Sequence, residues 1–191
     1  MNKLLKNRTA LSTVVTTLII LVVSVLLAGV VTYFAINIVS TRVQDESLNL
    51  TYQHVWYNTT GGAAEAAIMI TNTGGRDVVI QSIEVRGQSV NASYIFYFPV
   101  TVQGDLPYVS QNPTNISTTA TAPTGFGYSG DFLQTSTIVL KSGNTIAVYM
   151  AQSPTGIAPG SVTVNDVGLT IDISIFTADA TYIKETNVNA A

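Results

Sequence analysis

The sequence predicts an α+β protein, one long N-terminal helix followed by an antiparallel β-sandwich head, and three observations carry that reading. Between Arg8 and Arg42 there are 33 consecutive residues without a formal charge. After about residue 48 the apolar pattern changes from helical to alternating, which marks the passage from a helix to strands. From there to the C-terminus, short β-rich runs recur with Gly-, Asn- and Pro-containing turns between them, the spacing of a sandwich.

The helix comes first. Its centre, Leu18 to Val31 (LIILVVSVLLAGVV), is apolar except for Ser24 and Gly29. About 20 apolar residues at 1.5 Å each cross a bilayer core, so this segment is long enough to span one. A secretory signal would stop at a small-residue cleavage site after a shorter apolar run, whereas this one continues through Tyr33, Phe34, Ile36 and Val39. Thr41 to Leu48 (TRVQDESL) contains neither Gly nor Pro, and its good helix formers extend the expectation to one unbroken helix from Leu11 to Leu48, roughly 57 Å long. That exceeds a bilayer, and the excess implies a second use.

The strands follow. Leu50 to Tyr57, Ala64 to Thr71 and Val78 to Val85 read as the first three, separated by the turns Asn58 to Gly62 and Asn72 to Gly75. Arg86, Gly87 and Gln88 form a tight turn into Ser89 to Val100. Residues 101–135, rich in Gly, Pro, Ser and Thr, read as an exposed, variable part of the head holding one or two short strands. Thr137 to Lys141, Thr145 to Ala151, Ser161 to Val164, Leu169 to Phe176 and Ala180 to Lys184 complete the strand count, with Asp166, Val167 and Gly168 as a hairpin turn.

Two passages carry a family resemblance. The basic leader Met1 to Arg8 (MNKLLKNR), followed by Thr9 to Val15 (TALSTVV) and a long apolar helix, resembles the class III signal and N-terminal helix of archaeal type IV pilins, a superfamily that includes the archaellins. The phrase Ile70 to Ile80 (ITNTGGRDVVI) resembles a hairpin of their immunoglobulin-like heads. The resemblance implies a leader at 1–10 cut among Arg8, Thr9, Ala10 and Leu11, with Ala10/Leu11 the first choice and Thr9/Ala10 the second. It further implies a polymerisation helix at 11–48, an immunoglobulin-like head at 49–191, and a filament outside the cell that begins as a membrane-embedded subunit. Partners implied are further copies of the chain, a prepilin peptidase, an assembly ATPase, a platform membrane protein, and surface or virus ligands. Many relatives carry Glu near the fifth mature position, where this chain has Val15; the departure turns the reading from archaellin toward adhesive pilin.

A helix that leaves lipid to pack on copies of itself has little hydrophobic drive to do so, and close approach at small side chains must contribute. Ser24, Ala28 and Gly29 lie in the apolar centre and are the packing residues expected from sequence. Two rivals stay open, an archaellum filament subunit and a monomeric membrane-anchored binding module.

Composition narrows the rest. Charged residues make up 10% of the chain against 47% hydrophobic, a balance suited to a subunit that packs against neighbours. A net charge of −3 supplies no basic face for nucleic acid. With no cysteine, disulfides and thiolate metal sites are excluded. The single histidine, His54, sits in a strand beside Trp56 and reads as structural, and Asp105, Asp131, Asp166, Asp172 and Asp179 lack calcium-loop spacing. Neither an enzyme nor a cofactor is expected. Glycosylation sequons occur at Asn49, Asn58, Asn91 and Asn115, with Asn58 and Asn115 favoured because they fall in turns or loops.

Overall fold

The computed structural model describes residues 2–43, 45–109, 120–151 and 162–191. The chain divides into two compact units, Met1–Gln44 and Asp45–Ala191. The first is a single helix, α1, running Asn2–Val43. The second is a large, mostly antiparallel sheet whose strands follow one another in the order β4-β3-β8-β9-β1-β2-β7-β5, with β6 added beside β3. In sequence these are β1 Leu48–Asn58, β2 Ala63–Asn72, β3 Val78–Val85, β4 Gln88–Ser89, β5 Ile95–Val100, β6 Ile138–Leu140, β7 Thr145–Ala151, β8 Thr170–Thr177 and β9 Thr181–Ala190.

The expected helix to Leu48 is corrected: α1 stops at Val43, and Leu48 already opens β1. Helix propensity is a weak prior that tertiary contacts override, and here the head captures the chain. Gly75 N–H donates to Asp45 O, and the N–H groups of Thr73 and Gly74 donate to Ser47 O at 2.9 and 3.0 Å. Leu48 and Leu50 then bury in the core. This close approach requires Gly74, because a Cβ there would lie 2.6 Å from Asp45 O and 2.7 Å from Ser47 N.

β1 contains a bulge that its sequence announces. Leu48 and Leu50 point inward at even positions, while Val55 does so at an odd one, and the register against β2 shifts between Thr51 and His54. One extra residue moves the apolar set to the other parity, with Tyr52 at φ 51°. β3 changes parity likewise, from Val78 and Ile80 to Ile83 and Val85, across a register shift between Ile80 and Ser82. The turn after it places Arg86 at φ 54° and Gly87 at φ 69° between the paired Val85 and Gln88, the two positive angles that a type I′ hairpin demands.

Two cores result. Aliphatic side chains of β1, β2, β3, β6, β7 and β8 form one cluster, with Ile68, Ile83, Ile173 and Ile175 fully buried. The opposite faces of β2, β5 and β7 contribute Ala67, Met69, Phe96, Phe98 and Tyr149 to a second cluster, completed by Leu106, Ala122, Phe126 and Phe132. The reading of 101–135 as an exposed part of the head is therefore corrected at Leu106, Ala122, Phe126 and Phe132, which supply the lid of an aromatic core, while most of its other described residues are exposed. Its short pairings, Thr121↔Asp131 and Tyr97↔Leu133, pin the lid and cover part of the free edge of β5.

Three smaller corrections concern strand limits. The strand expected over Ser89 to Val100 is interrupted by a 3₁₀ turn at Ala92–Tyr94. That expected at Ser161 to Val164 begins outside the described residues and otherwise gives way to a 3₁₀ turn at Val164–Asp166. β9 runs on to Ala190, well past Lys184.

Candidate functional site

The apolar surface of α1 is the first candidate. Leu11–Ser40 is long and apolar enough to cross a membrane, by length and composition, and it lies near the N-terminus as a signal sequence or membrane anchor does. Residues 11–40 are exposed around the whole circumference, from Leu18 at 60% to Phe34 at 60%. A helix apolar on every side is a membrane span or the core of something larger.

The small residues expected to pack are placed as follows. Ser24 Oγ donates to Ile20 O at 2.7 Å, Thr16 Oγ1 to Ser12 O, and Thr32 Oγ1 to Ala28 O. The hydroxyls thus satisfy themselves on their own helix, which lets them face lipid without an unpaired donor. At Gly29 no atom lies within 4 Å of where a Cβ would stand. The backbone there is open to close approach. Arg8, Thr9 and Ala10 have helical backbone in α1, continuous with Leu11.

The head orders the sequons differently from the expectation. Asn58 is buried and spent on its turn: Oδ1 accepts from Thr60 N and Gly61 N at 2.9 and 2.8 Å, and Nδ2 donates to Tyr108 Oη at 3.2 Å. A glycosylated amide must reach outward, and that of Asn58 is committed to its turn. Asn49 is exposed in β1, but the hydroxyl of its sequon, Thr51 Oγ1, is buried without a hydrogen-bond partner. Asn91 is exposed, with Oδ1 accepting from Ser93 N at 2.9 Å across the 3₁₀ turn. It is among the residues lining a groove of about 350 Å³ whose lining, including Gln81, Ser89, Thr135 and Ser136, carries no charge. Asn115 lies outside the described residues.

Ionisable groups serve the packing. His54 Nε2 lies 2.6 Å from Asp105 Oδ1, and its ring stacks on Trp56 with centroids 5.0 Å apart, so the pair fastens the lid segment to β1. Glu65, fully buried in β2, accepts from Val109 N at 2.9 Å. Tyr149 donates its hydroxyl to Pro107 O at 3.0 Å, and burial, then the nearby Glu65, pushes its phenol well above the usual range. Among the described residues no group of three or more His, Cys, Asp or Glu is placed to hold a metal ion.

Asp166 is the titratable group with a clear consequence. Thr163 N and Thr163 Oγ1 donate to its Oδ2 at 2.8 and 2.9 Å, and Arg86 Nη1 stands 2.9 Å away. The Thr163 hydrogen bonds first, then the Arg86 charge, hold its carboxyl below the usual value. A carboxyl depressed in the folded state adds stability above its unfolded pKa and loses it as pH falls through the folded value. Asp166→Asn is therefore expected to lower the melting temperature at neutral pH, with the gap to the parent narrowing below about pH 3.9. A pH series of thermal melts measures it; a gap that stays constant into acid contradicts this role.

No protein-family model matches the chain, and no curated protein matches it.

Proposed function

We propose that this chain is the structural subunit of an extracellular filament, an archaeal type IV adhesive pilus, rather than an enzyme. In this reading α1 is stored in the membrane and then becomes the fibre core, while the head, an immunoglobulin-like sandwich, faces outward. The observation that carries it is the 30-residue apolar stretch Leu11–Ser40, exposed on all sides and opened at Gly29. Such a surface has two stable environments, lipid and other copies of itself. A head-to-tail contact that does not close builds an open helical array. One aliphatic core filled by β1, β2 and β7 together with β3, β6 and β8 supports the sandwich, and the exposed Asn91 supports a sugar-bearing surface in place of charge.

The same helix serves equally as the anchor of a monomeric binding module, and leader processing separates the two. Changing Lys6 and Arg8 together to neutral residues is expected to block removal of residues 1–10 in cells that assemble such filaments. Mass spectrometry of the membrane and extracellular fractions reads the result. An unchanged mature mass in the double variant refutes the cleavage assignment. In the parent, retention of residues 1–10 on a protein that stays monomeric in detergent supports the anchor instead.

A further inference from the structure

The first strand of the head is held in a way that resists pulling from its N-terminal end. β1 lies inside the sheet, antiparallel to β2 from Leu48↔Asn72 to Asn58↔Ala63 and parallel to the C-terminal strand β9 at Val55↔Val188, Trp56↔Asn189 and Tyr57↔Ala190. Ladder hydrogen bonds run across the strands. Tension drawn backward along β1 and forward along β9 therefore slides the two strands past each other and loads the bonds together, whereas peeling a strand from its end breaks them singly.

Side chains reinforce the join where the ladder is irregular. Gln53 Nε2 donates to Glu185 O at 3.3 Å, and Thr186 Oγ1 donates to Gln53 O at 3.2 Å, both at the bulge. Beyond the last pair, Ala191 N donates to Tyr57 O at 3.0 Å.

Ahead of β1 the chain is clamped again. Asp45 O and Ser47 O accept from the β2–β3 turn. The Glu46 carboxylate, almost wholly buried, accepts from the Thr177 hydroxyl and lies 3.4 Å from Arg76 Nη2, while Arg76 also pairs with Asp179 of the β8–β9 turn. Asp45 to Asn58 is thus fastened on both sides of its bulge to other turns and strands of the head.

We propose that Asp45–Asn58 is a mechanical shear clamp, through which the head withstands tension entering from the residues that follow α1. Its use as a force path rests on the filament reading. The resistance itself is a property of one molecule, so its failure and the failure of that reading are separately observable.

The test is single-molecule force spectroscopy on the full chain, with α1 held in a lipid nanodisc. The chain has no cysteine of its own, so handles attach uniquely at introduced thiols. Thr41→Cys with Ala191→Cys loads β1 in shear; Thr41→Cys with Thr73→Cys pulls on adjoining ends of β1 and β2 and peels them. Forced unfolding reads the unfolding barrier, and the shear geometry is expected to need clearly more force than the peel geometry. Arg76→Met, and Gly74→Ala if it folds, are expected to lower the shear force. Equal forces in the two geometries, or a shear force unchanged by Arg76→Met, overturn the proposal.

Discussion

Phe98→Ala is expected to be among the most damaging single substitutions in the head. Phe98 is completely buried, and its ring meets those of Phe126, Tyr128, Phe132 and Tyr149 at centroid separations of 5.7, 6.0, 5.6 and 6.1 Å. Truncating a buried Phe costs about 3–5 kcal/mol, from lost transfer energy and from the cavity left behind. For a domain of this size that is a fall of roughly 10 °C in melting temperature. Because three of the four rings, Phe126, Tyr128 and Phe132, come from the 120–135 segment, the lid should loosen before the sheet does. Limited proteolysis below the melting temperature is expected to cut the variant near the lid and leave the parent whole. A loss under about 1 kcal/mol would mean the site collapses around the gap and that the aromatic cluster is not what holds the lid.

Asn72→Ala is the second large effect, and it arises from hydrogen bonding. Asn72 is fully buried at the end of β2, where its Nδ2 donates to Arg76 O at 2.8 Å and Leu140 O at 3.0 Å while Oδ1 accepts from Gly74 N at 2.9 Å. One side chain thereby organises the β2–β3 turn and the end of β6. Alanine removes the donor to Arg76 O and Leu140 O and leaves Gly74 N–H on Ser47 O alone, and a buried group left unpaired costs about 1–3 kcal/mol. A loss of about 3 kcal/mol or more is expected by denaturant titration. Asn72→Asp should be no better, because a carboxylate cannot donate to the two carbonyls. A well-folded, fully stable aspartate variant would contradict this account.

Much of the head was legible from residue pattern, and the failures have physical causes. β3 and β7 occupy the expected residues, Val78–Val85 and Thr145–Ala151, because β-branched and apolar side chains bounded by turn residues leave little choice. The phase change in Leu48–Tyr57 was visible as letters, yet an alternation counted from one end hides the bulge that accounts for it. Sequence extends the helix too far because Thr41–Leu48 contains good helix formers, while the contacts that override them come from Thr73, Gly74 and Gly75. Sequence cannot display partners that distant.

The lid was missed for a related reason. Phe126 and Phe132 sit among Gly, Pro and Ser, which suggest a solvated loop, and only the face of β2 and β7 left uncovered by the first core requires them inside. Those aromatics were the available signal. Sequence ends β9 too early because most of its side chains are exposed, with Val188 buried and Tyr182 and Thr186 half-buried, so backbone pairing more than burial defines it. Of the site residues, Gly29 stands open as its type suggests, whereas Asn58 shows that a turn asparagine can be consumed by the turn it makes.

On the proposed reading, α1 serves first as a membrane segment and then as the core of a polymer. Electron microscopy of fibres sheared from cells producing the chain, with mass spectrometry of their subunit, tests it most directly. Fibres built from residues 11–191, or from 10–191 if the second cleavage choice holds, are expected, and they are absent when Gly29→Leu fills the opening in the helix. Cells that yield only a solitary, membrane-bound protein still carrying residues 1–10 would contradict it.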